Sequence, residues 1–229
     1  MTTNKIALVT GANKGIGKEI ARQLGHLGMT VLIGARDENR GRAAVDELAG
    51  LDAQLVPLDV TDETSVAAAA KLIEHDHGRL DVLVNNAGIL TDDFHRTYAT
   101  NVAGVVTVTR AMLPLLHKAS EPRIVNLSSE LGSLTLLADP TSEQAAVPLY
   151  AYNSSKAALN AVTVLFANEL RAGGIKVNAV SPGYCATDMN NHQGVLTAEQ
   201  GASAVVRLAT VPADGPTGEF HGQNGVLPW

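Results

Sequence analysis

Six short runs punctuate the chain: KIALVT (residues 5–10), TVLIGA (30–35), AQLVPLD (53–59), LDVLVNN (80–86), RIVNLSS (123–129) and IKVNAVS (175–181). Each is rich in aliphatic and β-branched residues and nearly apolar on both faces. A strand with one face in water alternates apolar with polar, so a strand apolar throughout needs cover on both sides. Longer segments of helical periodicity separate the runs, which suits parallel strands joined by helical crossovers. The pattern predicts an α/β, doubly wound Rossmann fold, a parallel sheet of about seven strands flanked by helices. No linker, low-complexity tract or 20 to 50-residue repeat interrupts the alternation, and 229 residues suffice for one sizeable core. Residues 1–229 are therefore read as a single domain.

End signals place the helices. Ile16, Ile20 and Leu24 share one face of a helix over 15–27. Thr61 is the expected cap of the helix containing SVAAAAKLI, and AGG at 172–174 closes one that begins near Tyr150. Thr197 and Gln200 form a capping box before GASAVVRLA.

Composition narrows the function classes. The formal charge is -6 without long single-sign runs, which gives no footprint for nucleic acid or an anionic membrane. Cys185 is the sole cysteine, so no internal disulfide can form. MTTNKIALVTG runs into a strand without a secretory pattern, and no run approaches the roughly 18 apolar residues of a bilayer span. LNAVTVLFANEL, for example, is broken by Asn160, Asn168 and Glu169. A soluble cytoplasmic protein with small-molecule partners is expected. The seven histidines lack metal-ligand spacing such as HxxxH, so no metal site is expected.

VTGANKGIG follows the first strand and opens the first helix, with glycines at 11, 15 and 17. Such glycines let the chain turn tightly and bring backbone N–H groups to a pyrophosphate at the positive end of a helix. A ligand-free βα turn is the bland alternative, weakened by the place of the motif after strand one. The second strand bears on which dinucleotide binds. An NAD site offers a carboxylate near its end, but LIGARDENR has Ala35 there, then Arg36, and Arg40 one turn on. A guanidinium pairs well with phosphate, and Lys14 in the glycine loop adds a second charge. These residues read as a 2′-phosphate clamp for NADP(H). The alternative is a solvated basic surface, with Asp37 serving NAD.

In LYAYNSSKAAL, Tyr152 and Lys156 lie four apart on one helix face, and Tyr150 points elsewhere. A fixed ammonium near a phenol lowers its pKa, so Tyr152 is expected to serve as general acid or base. RIVNLSSELG ends the fifth strand with Ser128 and Ser129, where doubly wound sheets bind ligands. LVNNAG ends the fourth strand, and Asn101 follows on the next helix.

Together TGxxxGxG, NNAG, that asparagine, the serine after strand five, YxxxK and SPGYCATDM resemble the short-chain dehydrogenase/reductase superfamily over essentially the whole chain. GANKGIG, ARDENRGR, LDVLVNNAGI and the ending GPTGEF…W resemble its NADPH-dependent carbonyl reductases. The resemblance implies that Tyr152 is the catalytic acid/base and that Lys156 binds the nicotinamide ribose and lowers the tyrosine's pKa. It implies that Ser129, three residues before Gly132 and so chosen over Ser128, orients the carbonyl oxygen. Asn101 would hold a water in a proton relay. The cofactor would lie on Gly11, Asn13, Lys14, Gly15, Ile16 and Gly17. Asp59 and Val60 would contact adenine. Asn86, Ala87 and Gly88 would pack on the adenosine ribose, and Pro182, Gly183 and Thr187 would fix the nicotinamide.

The stretch between Ser129 and Tyr152 is longer than in common tetrameric members and shorter than in monomeric animal carbonyl reductases. Oligomeric state stays open, leaning to a homodimer or homotetramer. The region after Thr187 is short for a lid, which implies an open substrate pocket. Tyr184 either walls that pocket or packs. Cys185 reads as a loop residue, and Trp229 as folding back on the last strand. The expected activity is NADPH-dependent reduction of a ketone, aldehyde or quinone. An alcohol dehydrogenase working oxidatively and a non-catalytic NADP-binding sensor are the alternatives.

Overall fold

The computed structural model describes residues 4–229. All six predicted strands form, as β1 (Ile6–Thr10), β2 (Thr30–Ala35), β3 (Ala53–Pro57), β4 (Val82–Asn85), β5 (Arg123–Leu127) and β6 (Lys176–Val180). A seventh, β7 (Phe220–His221), is too short to leave a sequence pattern. Every pairing is parallel, in the order β3-β2-β1-β4-β5-β6-β7. Order reverses between β1 and β4, so the crevice for a ligand opens at their carboxyl ends.

The two-faced apolar strands have a direct structural reason. Alternate residues of β1 enter different cores: Ala7 and Val9 join a cluster with Ile20, Leu24 and Val205, while Ile6 and Leu8 join one with Ile73, Met112 and Phe166. Helices α1 (Gly15–His26), α2 (Glu38–Glu47) and α8 (Ala198–Ala209) cover the first face, and α3 (Glu63–His77), α5 (Gly104–Leu116) and α7 (Tyr150–Leu170) the second. Two short helices, α4 (Phe94–Tyr98) and α6 (Leu134–Ala138), complete the set. The edge strand β3 departs from the expected burial: Gln54 and Pro57 are exposed, as suits an edge that need not donate every N–H.

The capping box at Thr197 and Gln200 forms, and α7 ends in a 3₁₀ turn (Arg171–Gly173) followed by left-handed Gly174, φ 75°. Thr61 is not the cap of α3. Its N–H and hydroxyl both donate to Asp59 Oδ1, at 2.9 and 2.7 Å, and Asp62 caps instead by accepting from Thr64 N at 2.9 Å. Against the expectation that no run approaches a bilayer span, the helical run Phe94–Leu116 is long and apolar enough to cross a membrane by length and mean composition, although polar residues such as Arg96, Asn101 and Arg110 interrupt it. Here Val108, Met112 and Leu116 are fully buried against the sheet. Trp229 folds back as expected and stacks on Phe220, with ring centres 5.6 Å apart.

Candidate active site

The glycine turn is built for a close ligand. Gly11 and Gly15 adopt φ of 64° and 55°, a region that costs other residues strain. A Cβ on Gly17 would collide with Asn86 Nδ2 and sit 2.7 Å from the Gly11 carbonyl oxygen. Lys14 stands at the start of α1 in extended conformation without a side-chain cap, so the helix's first N–H groups stay open to an anion. Asn13 is half-buried beside it. Ile16 packs its side chain on the core and offers only main chain.

Asn86, expected at the ribose, also has a role inside the protein. Its Nδ2 donates to Thr10 O at 2.7 Å and Gly11 O at 3.2 Å, so the side chain braces the glycine turn. Thr10, absent from the predicted site, explains how: its hydroxyl accepts from Asn86 N and Ala87 N, both at 3.0 Å. The threonine before the first glycine was the available signal. Gly88 leaves a gap that a Cβ would narrow to 3.4 Å from Asn101 Oδ1 and 3.6 Å from Lys156 Nζ.

The basic residues are only partly gathered. Arg36 is exposed just beyond β2, and its charge is the smallest of the influences on the Asp59 carboxyl, which is held below the usual range. Burial of Asp59 pushes the other way and is outweighed by the Thr61 bonds together with that charge. Arg40 is exposed and faces Asp37 at 3.6 Å, while Asp37 caps α2 by accepting from Arg40 N. Lys14 pairs instead with Asp188, Nζ to Oδ2 at 2.7 Å. Val60 packs on Gly104, where a Cβ would lie 2.9 Å from the Val60 carbonyl oxygen.

Across the cleft, the Thr187 methyl lies over Gly15. Pro182 O accepts from Gln223 Nε2 at 2.7 Å, and Gly183 turns at φ 78°. Tyr184 is 54% exposed and Tyr150 76%, so neither packs in the core. Tyr150 borders an apolar groove of about 330 Å³ with Leu134 and Val147. Cys185 is buried, and burial pushes its thiol up, so it is a packing residue without a base.

Tyr152, Lys156 and Ser129 meet where α7 passes the end of β5. Lys156 is 5% exposed, and its Nζ donates to Leu127 O at 2.7 Å while standing 5.6 Å from the Tyr152 ring centre. Burial lowers the Lys156 pKa to about 8. Contrary to the expected lowering, the Tyr152 phenol is pushed up to about 12, because burial of the phenolate outweighs a hydrogen bond with Ser129. Lys156 spends its bond on a main-chain carbonyl and sits beside the ring face.

Ser129 Oγ accepts from Leu131 N at 3.2 Å, which leaves its hydroxyl proton to donate elsewhere. Ser128 is buried and donates to Asn160 Oδ1 at 2.6 Å, so it faces away from the cleft. Asn101 lies in a π-helical turn, Ala99–Ala103, where the widened backbone swings it inward. Its Nδ2 donates to Ile89 O at 2.9 Å and Ser155 Oγ at 3.0 Å, and its Oδ1 accepts from Ile89 N at 2.8 Å. Ser155 in turn donates to Tyr152 O at 2.7 Å, a link the sequence reading missed although SSK contains it. Among the described residues, no group of three or more His, Cys, Asp or Glu side chains is placed to hold a metal.

The short chain dehydrogenase family profile matches residues 5–195. A short-chain dehydrogenase of Penicillium roqueforti is 38% identical, over 91% of this chain and 89% of the relative. Salutaridine reductase of Papaver somniferum is 33% identical, over 96% and 95%. Among solved structures, an NADPH-bound carbonyl reductase from chicken fatty liver superposes with a TM-score of 0.86 at 30% identity, covering 99% of both chains. The profile spans most of the chain and the relatives cover nearly all of it, and the chain belongs to the short-chain dehydrogenase family.

Proposed function

We propose that this protein is an NADPH-dependent reductase that converts the carbonyl of a ketone, aldehyde or quinone to an alcohol. The convergence of Tyr152, Ser129 and Lys156 beside the glycine turn carries the reading. The cofactor's residues fit: the uncapped start of α1 faces the turn, no Cβ fills it, and Arg36 follows Ala35 where a ribose-binding acid would exclude a 2′-phosphate. Asp59, Val60 and Ala87 line the adenosine side, and Pro182, Gly183 and Thr187 the far side. When bound, NADPH supplies the hydride.

The chain's own groups handle the oxygen. Ser129 donates its free hydroxyl proton to the carbonyl, and the phenol of Tyr152 donates from a second direction. Both therefore stabilise charge as it develops on that oxygen. A phenol is a stronger acid than an alcohol, so Tyr152 passes its proton to the alkoxide and completes the product. Lys156 sits beside the ring and favours the phenolate left behind. Asn101 holds the Ile89 loop to α7. Its Oδ1 faces Lys156 across Gly88, where a water would return a proton to Tyr152. Tyr184 and Met189, both exposed, line an open and weakly selective mouth.

The buried, disulfide-free Cys185 suits a reducing compartment such as the cytoplasm. A homodimer or homotetramer is part of the same reading, since isologous assemblies are the commonest among soluble proteins.

The test is NADPH oxidation, with NADH in parallel, over a panel of ketones, aldehydes and quinones. The proposal expects turnover preferring NADPH and nearly lost in Tyr152→Phe. Binding of NADPH without turnover of any substrate favours a sensor, and efficient alcohol oxidation without carbonyl reduction favours the dehydrogenase direction.

A further inference from the structure

Asn160 lies on α7 eight residues beyond Tyr152 and four beyond Lys156, on the same helix face. It is 4% exposed, yet it makes no bond within its own helix by its side chain. Both ends of the amide reach instead to the segment that carries Ser129. Oδ1 accepts from Ser128 Oγ at 2.6 Å, and Nδ2 donates to Gly132 O at 3.1 Å. One side chain thus grips the residue before Ser129 and the residue three after it. The bonds also fix the amide's orientation, because exchanging its ends would set oxygen against the Gly132 carbonyl.

The turn and the helix meet backbone to backbone. A Cβ on Gly132 would lie 2.6 Å from the Lys156 carbonyl carbon and 2.9 Å from Ala157 N, so the backbone of the turn lies directly on α7. Gly132 N donates to Ser129 O at 2.8 Å and shapes the turn itself, without tying it to the helix. Lys156 ties down Leu127 through Nζ, before the turn begins, and its main-chain oxygen lies a long 3.5 Å from Ser128 Oγ, whose near partner is Asn160 at 2.6 Å. Asn160 is the side chain that anchors both flanks of Ser129 to the helix bearing Tyr152.

We infer that Asn160 is a positioning residue, which sets the Ser129 hydroxyl relative to the Tyr152 phenol so that both reach one carbonyl oxygen. The inference rests on Ser129 binding that oxygen. Its consequence is energetic coupling: once Asn160 is lost, Ser129 is displaced and contributes little more.

The experiment is a double-mutant cycle of Asn160→Leu and Ser129→Ala on the full chain. NADPH oxidation is normalised to NADPH-binding sites titrated by fluorescence, so misfolded protein drops out. Ser129→Ala should lower kcat about 100-fold, the scale of one lost oxyanion donor. Asn160→Leu should lower it at least about tenfold with KM for NADPH unchanged, and the double variant should match Ser129→Ala alone, as for groups that act as a unit. If Asn160→Leu fails to fold, Ser128→Ala removes one arm of the clamp and enters the same cycle, with a smaller loss that again vanishes on the Ser129→Ala background. Multiplying losses would overturn the inference and leave the role of Ser129 standing. A Ser129→Ala variant as active as the native protein would overturn both.

Discussion

Lys156 Nζ lies 5.6 Å from the centre of the Tyr152 ring and bonds to the Leu127 carbonyl, not to the phenol. The ammonium therefore acts on Tyr152 through space. Because burial holds Lys156 near pKa 8, its charge is lost within an accessible range. The alkaline limb of kcat/KM should accordingly fall near pH 8, well below the Tyr152 value of about 12. A pH profile that stays flat to pH 10 would remove Lys156 from the mechanism.

The same burial links stability to pH. The native state gives up the Lys156 proton near pH 8, whereas the unfolded chain keeps it to about 10.5. Between these values the unfolded state binds more protons, so this group's contribution makes the protein more stable as pH rises. Denaturation of native protein and Lys156→Met at pH 7.5, 9 and 10.5 isolates the effect. The native protein should gain on the variant as pH rises, and the variant should not turn over substrate.

Tyr152→Phe removes the proton donor and little else, since the ring packing survives. Turnover should fall by about 10² to 10⁴, with NADPH affinity within a few-fold of native by fluorescence titration.

Asp188 holds Lys14 in an exposed pair and receives His192 Nε2 at 3.1 Å on its other oxygen. A 2′-phosphate would have to compete with this carboxylate for Lys14. Asp188→Asn should therefore lower KM for NADPH several-fold and leave KM for NADH unmoved, with the gain shrinking at high salt. Arg36→Ala should do the reverse, raising KM for NADPH alone.

Gly17→Ala should express poorly in binding and in stability. Its methyl would meet Asn86 Nδ2 and the Gly11 carbonyl, so the turn must open, costing about 1–3 kcal/mol. Thermal melting and NADPH titration should both register it, whereas Gly28→Ala meets nothing within 4 Å and should strain only its φ of 82°.

The sequence by itself determined whatever depends on near neighbours. Strands apolar on both faces required two covering layers, glycines at 11, 15 and 17 specified a tight βα turn, and a spacing of four put Tyr152 and Lys156 on one helix face. Even there, a local competition could mislead: Thr61 was a good cap by type, but Asp59 two residues back claimed it and Asp62 took the role. Only the tertiary structure decided what distant segments do to one another. Lys14 meets Asp188 across 174 positions, Asn86 turns inward to brace the glycine loop, and a π-helical turn aims Asn101 at Ser155. Asn160 links Ser128 and Gly132 across 32 and 28 positions. The direction of the Tyr152 shift was decided there too. Spacing places a charge near a phenol, but burial sets the cost of ionising it, and burial is a property of the packed whole.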